Sequence, residues 1–302
     1  MILRTVFVGA GLALLMVGGA LAQVERREIG QLVYEGVPAA PSELQAAISP
    51  YYEVRSAELK DWLEDGSMLI STRFAETTQI HRLTAPGAAR TQLTFFSEPI
   101  TAAKVQPGAA RFAYRRDEGG SEYYQGFLRD LDGAEVRLSA PGTRNSDFVF
   151  SKDGKLVVWS QVTPGDPNYD IMLAQTASPD SRRVVLEGQG AMAPTAISAD
   201  GRRILISRYN SIAFVELFVL EVATGALTPV GPTDRRVFYE GAAFAQGGAA
   251  VVTLSDDGSE VARPVVFDLA SGAMRDLSPD AKWGAEGFDL SPDGRTIAYV
   301  VN

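Results

Sequence analysis

One histidine, His81 in "TQIHRLTAPG", and no cysteine in 302 residues leave few groups for covalent catalysis. Thiol nucleophiles, thiolate metal ligands and disulfide staples are excluded at once. A serine enzyme of the α/β-hydrolase kind carries its nucleophile on a Gly-x-Ser-x-Gly elbow, where bulkier flanking residues clash. No two of the 29 glycines stand four positions apart, so the elbow is absent. His81 falls in a stretch that reads as a strand, and it is assigned a structural role. The acidic runs "RDLDGAE" (Asp130, Asp132, Glu135) and "SDDGSE" (Asp256, Asp257, Glu260) resemble pieces of a calcium loop. Neither completes the twelve-residue ligand pattern, and acidic residues beside glycine are what hairpin turns use. No metal or cofactor is expected.

The segment that stands out is "YRRDEGGSEYYQGF" at 114–127, a polar, glycine-containing loop with three carboxylates. Loops on a rigid scaffold carry function more often than strands do. Asp117, Glu122 and, further on, Arg144 are therefore the candidates for a face that meets a substrate or a neighbouring domain. A carboxylate there would suit a peptide's terminal ammonium.

The elements that must position these residues are announced by a repeat. The glycine that ends a recurring turn stands at Gly66, Gly108, Gly154, Gly201, Gly247 and Gly294, at intervals of 42, 46, 47, 46 and 47 residues. In "SPDG" proline presets the turn and glycine takes the left-handed position. Each turn is followed by an apolar run: "MLIST", "RFAYR", "LVVWS", "RILIS", "AVVTL", "TIAYV". Strands apolar on both faces are sandwiched between neighbouring sheets. A second set of turns, at Gly87, Gly133, Gly225 and Gly272, makes each repeat two hairpins. Four antiparallel strands in 40–50 residues make a β-propeller blade. The expected fold is all-β, with blades starting near Arg55, Ile100, Asn145, Ala193 and Glu240 and half of a sixth from Trp283 to Asn302. The half blade is read as a sign that the sequence is the front part of something longer. One short helix is expected at 41–49, from Ser42 and Gln45 as a capping box.

Composition bounds the partners. A net charge of −9 without a basic cluster argues against a nucleic acid. The N-terminus pairs a positive start with about 15 apolar residues and the small-x-small pattern Ala20, Leu21, Ala22, which reads as a signal peptide over 1–22. The run is too short to span a bilayer, so a periplasmic or secreted protein without a membrane span is expected. The organisation becomes 1–22 signal peptide, 23–54 N-terminal strand and short helix, and 55–302 incomplete propeller.

Several blocks together carry a resemblance: "MLISTRFAETTQIHRLTAPGAARTQLTFFSEPI", "DEGGSEYYQ", "TRNSDFVFSKDG", "LSDDGSE" and "FDLSPDGRTIAYVVN". Over roughly 35–302 the chain resembles the N-terminal propeller of bacterial prolyl oligopeptidase-family serine peptidases, of the dipeptidyl peptidase or acylaminoacyl peptidase type. The "SPDG" turns alone are shared with Tol-associated periplasmic propellers. The resemblance implies a propeller that admits short peptides to an α/β-hydrolase domain carrying Ser, Asp and His. None of those triad positions exists in this sequence, so the chain alone is expected to be inactive. The alternative is a stand-alone Tol-type propeller that binds protein or peptide partners.

Overall fold

The computed structural model describes residues 24–30, 32–100, 102–146 and 148–302. The expected signal peptide lies outside the described residues. Among those described, no helix is long and apolar enough to cross a membrane. The chain divides into two units, Met1–Tyr52 and Glu53–Asn302. The first contains a hairpin of β1 (Arg26–Ile29) and β2 (Leu32–Glu35), then α1 (Ser42–Tyr52), which runs past Pro50 beyond the expected end.

The second unit is a succession of antiparallel sheets. The first holds β3 (Ala57–Trp62), β4 (Met68–Thr72), β5 (Gln79–Leu83) and β6 (Arg90–Gln92); the second β7 (Ala103–Val105), β8 (Arg111–Arg116), β9 (Gln125–Asp130) and β10 (Glu135–Arg137). In the third the innermost strand is broken into β11 (Arg144–Asn145) and β12 (Val149–Phe150), both paired with β13 (Leu156–Val162), and β14 (Asp170–Gln175) and β15 (Ser178–Leu186) follow. The fourth is β16 (Ala191–Ile197), β17 (Arg203–Ser211), β18 (Phe214–Glu221), β19 (Leu227–Val230); the fifth β20 (Tyr239–Ala245), β21 (Ala250–Ser255), β22 (Arg263–Asp268), β23 (Met274–Asp276). A two-stranded sheet of β24 (Ala285–Leu290) and β25 (Ile297–Val301) ends the series.

Within each sheet spatial order follows sequence order. Between sheets, first strands meet first strands, as in β3 with β7, β16 with β20 and β20 with β24. The first strands are therefore innermost and the fourth form the rim, which is the β-propeller arrangement.

Apolar runs become sheet interfaces through the two-residue period of a strand. On β8, Phe112 and Tyr114 pack towards the first sheet while Ala113 packs towards the third. On β13, Val157 and Trp159 face the second sheet and Val158 the fourth. On β17, Ile204 and Ile206 face the third sheet and Leu205 the fifth. A separate apolar cluster thus fills each of the five gaps between successive sheets. Burial, not disulfides, holds the unit together.

The recurring turn is a small hydrogen-bonded cage. In the third sheet the Ser151 hydroxyl donates to Asp153 (2.7 Å), the same carboxylate accepts the Lys155 amide (3.1 Å), and Ser151 Oγ accepts the Leu156 amide (2.9 Å). The fourth sheet repeats it with Ser198, Asp200, Arg202 and Arg203, and the sixth with Ser291, Asp293, Arg295 and Thr296. Gly154, Gly201 and Gly294 take φ of 68°, 70° and 67° to close it.

The serine hydroxyl, and then the backbone amide, hold the Asp153 carboxyl down to about 2. The same donors lower Asp200 and Asp293. The sign follows from linkage: Asp153 stabilises fully above its unfolded pKa of about 3.9, and that share is lost as pH falls through the folded value. The melting temperature is expected to fall between neutral pH and pH ~2.5, and less steeply in Asp153→Asn. Identical acid curves for the two proteins would contradict the cage.

Candidate functional site

An antiparallel meander puts its strand 1–2 and strand 3–4 turns at one end of every sheet. The strand 2–3 loops and the crossings to the next sheet lie at the other. The first end carries short polar turns. Among the described residues of the unit, Trp62 and Met274 are large exposed apolar side chains beside those turns. The loop end carries Phe74, Phe95, Tyr123, Ile212 and Trp283, all exposed, with Ile212 at 84%. Large exposed apolar side chains are therefore more numerous at the loop end.

The loop between β8 and β9 lies at that loop end. Asp117 is buried (6% exposed), and its Oδ2 accepts the backbone amide of Glu122 at 3.1 Å. Glu118 O accepts the Ser121 amide (3.3 Å), and Gly119 and Gly120 sit at φ 63° and 75°. Glu122 follows at φ 61°, one of two described non-glycine residues with positive φ, and its side chain is exposed. Left-handed backbone costs an ordinary residue about 1–2 kcal/mol, and the Asp117 carboxylate is what holds it there. The two candidates therefore divide the work: Asp117 builds the loop and Glu122 is displayed by it. Glu122→Gly is expected to raise stability by roughly 1 kcal/mol, and Asp117→Ala to lower it. Calorimetry of both variants checks the pair, and a loss in both would remove the strain argument.

The surroundings tie this loop to its neighbours. Arg116 lies over the Phe96 ring at 3.9 Å and the Phe127 ring at 4.8 Å. Glu98 is lowered by the Ser97 hydroxyl, then by its own and the Gly119 amide and the Arg116 charge. Gln125, 9% exposed, donates from Nε2 to Thr143 O and Tyr123 O. Gln79 does the same in the first sheet, reaching Phe96 O (3.0 Å) and Glu98 O (2.9 Å). These buried glutamines clamp the crossing segments that form the loop end. Sequence reasoning kept Gln125 only as a residue of the loop and did not single out Gln79, although "TQIH" and "YQGF" put glutamine at the start of the third strand in both repeats.

Arg144 lies in the short innermost strand β11 and not in a loop, at the point where the repeat places the start of the third sheet. It is exposed, and its neighbour Asn145 does the organising. Asn145 Nδ2 donates to Tyr124 O (2.8 Å) and its Oδ1 accepts the Trp159 indole N–H (3.1 Å). Asp117 and Glu122 are brought together by the bond from the Glu122 amide, while Arg144 belongs to the next sheet.

His81 is on β5, 1% exposed, with Nδ1 3.0 Å from Gln79 O and its ring 5.3 Å from that of Phe74. Burial lowers its pKa, assisted by the Arg90 charge. Neutral and enclosed, it reaches no substrate.

Nearer the axis, Ala102, Ala103, Ala113 and Phe148 leave a cleft of about 330 Å³ between the innermost strands. Its rim lysines are paired, Lys60 with Glu58 (2.7 Å) and Lys104 with Asp61 (3.0 Å). Among the described residues, no three His, Asp or Glu side chains are grouped to hold a metal ion.

No protein-family profile and no curated protein matches the sequence. Solved structures do match its fold. A prolyl endopeptidase structure superposes with TM-score 0.65 at 11% identity, over 89% of this chain and 47% of that one. Prolyl oligopeptidase B from Galerina marginata, bound to a 35mer substrate, gives 0.66 at 14%, over 83% and 41%. A putative TolB from Agrobacterium tumefaciens gives 0.52 at 18%, over 74% and 80%. The chain thus spans about half the length of the peptidases it resembles. At these identities the likeness is one of fold: the chain is an all-β protein whose four-stranded sheets match the propellers of prolyl oligopeptidases and of TolB.

Proposed function

We propose that the chain is the propeller part of an exported serine peptidase, and that its loop end admits short peptides to a hydrolase domain carried elsewhere in a longer polypeptide. The observation that supports this reading is the match to peptidase propellers over 89% and 83% of the chain, with TM-scores of 0.65 and 0.66. The aromatic loop end, with Glu122 held out by Asp117, supports it as the face that meets peptide and partner domain. The 80% coverage of a TolB-like chain favours a second reading, a stand-alone propeller that binds proteins.

The 302-residue chain, purified, is expected to leave peptides and esters intact, since it has no serine elbow and its one histidine is buried. The decisive experiment uses the native protein from its source, captured with an antibody against residues 53–302 and treated with a fluorophosphonate. Labelling of the captured polypeptide supports the peptidase. An unlabelled polypeptide that brings down protein partners supports the second reading. In a labelled enzyme, Glu122→Gln is expected to lower kcat/KM for free-amino peptides about tenfold, the loss of one charge-assisted bond, and to spare N-acylated ones. Equal small losses on both would leave Glu122 a turn residue.

A further inference from the structure

Six aspartates stand directly before a glycine: Asp65, Asp132, Asp153, Asp200, Asp257 and Asp293. Such a link rearranges more readily than other aspartyl links, because glycine puts no side chain over its amide nitrogen. That nitrogen can attack the aspartate side-chain carbon and close a five-membered imide. The group attacked is the neutral acid, whose hydroxyl leaves as water. Donors that hold the carboxylate ionised therefore protect the link. Five of the six have them. Ser151, Ser198 and Ser291 donate to Asp153, Asp200 and Asp293 at 2.7, 2.6 and 2.6 Å, and each carboxylate also accepts a backbone amide at 3.1 Å. Asp65 accepts the Ser67 hydroxyl (2.6 Å), the Ser67 amide (2.9 Å) and the Arg82 guanidinium. The serine hydroxyls, and then the amides, hold all four carboxyls below their ordinary value. Asp257 is gripped at both oxygens by Arg235, at 3.0 and 2.9 Å.

Asp132, in the turn between β9 and β10, is the exception. It is exposed, and its Oδ1 accepts one bond, from the Ala134 amide at 3.2 Å. Among the described residues no hydroxyl donates to it and no cation forms an ion pair with it. The sequence holds the reason. In the cages of the third, fourth and sixth sheets the serine stands two places before its aspartate, and here that place is taken by Asp130. Asp130 is a carboxylate committed to Arg111, at 2.5 and 3.1 Å, and an ionised carboxylate donates nothing. The amide side does not discriminate, since the Gly133 amide donates to Asp130 O at 3.0 Å just as the Gly66 amide does to Leu63 O. The difference lies in the carboxylate.

We propose that Asp132 is a site of spontaneous modification, at which the Asp132–Gly133 link rearranges to isoaspartate and loosens the outermost strand of the second sheet. The Gly133 nitrogen bonds to the Asp132 side-chain carboxyl carbon. That carbon's hydroxyl departs with the nitrogen's proton as water. A water then adds to the Asp132 main-chain carbonyl carbon and breaks its bond to the Gly133 nitrogen, which takes a proton back. The chain now runs through the side chain, one methylene longer, and the α-carboxylate is free. Water is released once and consumed once, and no other reactant enters. The added methylene disturbs the turn bonds, Gly133 N–H to Asp130 O and Asp130 N–H to Ala134 O (2.8 Å). β10 is paired to β9 over three residues only, so it has little else to hold it in register.

The folded 302-residue chain is incubated at mildly acidic pH and its peptides are mapped by mass spectrometry, with electron-based fragmentation to tell isoaspartate from aspartate. The imide is read as the loss of one water. Isoaspartate is expected to accumulate at 132 at least about tenfold faster than at 153, since the neutral form of a carboxyl held at about 2 is scarcer than that of an ordinary one by more than about tenfold. Equal rates at the six links, or a lead at any other, would overturn the assignment. Ser151→Ala, which takes the hydroxyl from Asp153, is expected to raise the rate at 153 and leave 132 unchanged. An unaltered rate at 153, in a variant that still melts cooperatively, would show that the serines do not protect. Amide exchange in β10 is expected to rise with the modified fraction, and not in Asp132→Glu, which keeps the charge but would need a six-membered ring. Exchange that stays constant as isoaspartate accumulates would overturn the loosening of the strand.

Discussion

Gly154→Ala is expected to destabilise the propeller unit by about 3 kcal/mol or more, and Gly66→Ala by only about 1–2 kcal/mol, although the two glycines hold the same place in the repeat. Both are left-handed, at φ 68° and 78°, so both variants suffer the backbone penalty of a side chain there. A Cβ on Gly66 meets nothing within 4 Å. A Cβ on Gly154 would lie 2.0 Å from the carbonyl oxygen of Pro107 and 3.0 Å from its carbon. Those are backbone atoms of the neighbouring sheet's turn, and they cannot swing aside as a side-chain tip would.

Relief requires the second and third sheets to separate, and the separation breaks more than van der Waals contact. Gln106 Nε2 donates to Gly154 O and lies 3.2 Å from Thr176 Oγ1, which itself donates to Gly154 O at 2.7 Å. Gly201 is an intermediate case, since its Cβ would be 2.8 Å from Leu156 Cδ1, the movable end of a side chain. Melting temperatures of the three alanine variants are expected to fall in the order Gly66, Gly201, Gly154. For a unit of this size the last drop is roughly 6–12 °C. Similar losses at Gly154 and Gly66 would show that the sheets do not meet as described.

This contrast marks what the sequence could say. The 42–47-residue glycine spacing announced the turns, the hairpins and the sheets, because turn chemistry is local and a repeated local signal averages out chance. The spacing could not show that Gly154 is pressed against another turn while Gly66 faces open space. That difference depends on how much each sheet is rotated against the last, which no single repeat encodes. The alternation of Phe112, Ala113 and Tyr114 was legible as a strand buried on both sides, and the structure assigns each residue to its neighbour.

The candidate site was less legible. "DEGGSEYYQ" stood out because it breaks the blade pattern, yet the sequence did not separate Asp117 from Glu122. Asp117 turns inward to fix a backbone amide and Glu122 is held outward with positive φ, and only the chain's path distinguishes them. Arg144 was misplaced for a related reason. It stands where the crossing gives way to the broken first strand of the third sheet. The bond from Lys152 to the Pro292 carbonyl carried no signal, since its partner is a backbone group far along the chain.

The hairpin of β24 and β25 is expected to exchange its amide hydrogens at least about a hundredfold faster than β17, because it can open while the rest of the unit stays folded. β17 lies between β16 and β18, and Ile204, Leu205 and Ile206 on it are all at 0% exposure. Its amides exchange when the whole unit unfolds. β25 pairs with β24 on one side and has no strand on the other among the described residues. One face packs on the fifth sheet through Phe288, Leu290 and Ile297, and the Tyr299 hydroxyl donates to Ser278 at 3.0 Å. The other face shows Val300 at 62% exposure. A hairpin with one packed face and an open edge is marginal in water, and an apolar open edge pairs readily with another chain. Concentrated solutions of the 302-residue polypeptide are therefore expected to contain dimers that Val300→Lys disperses. Lys152→Met, which removes the bond from the third sheet to the Pro292 carbonyl, is expected to speed exchange in β24 and β25 further and to leave β17 unchanged. Protection of β25 equal to that of β17, in a monodisperse monomer, would mean that its outer edge is covered.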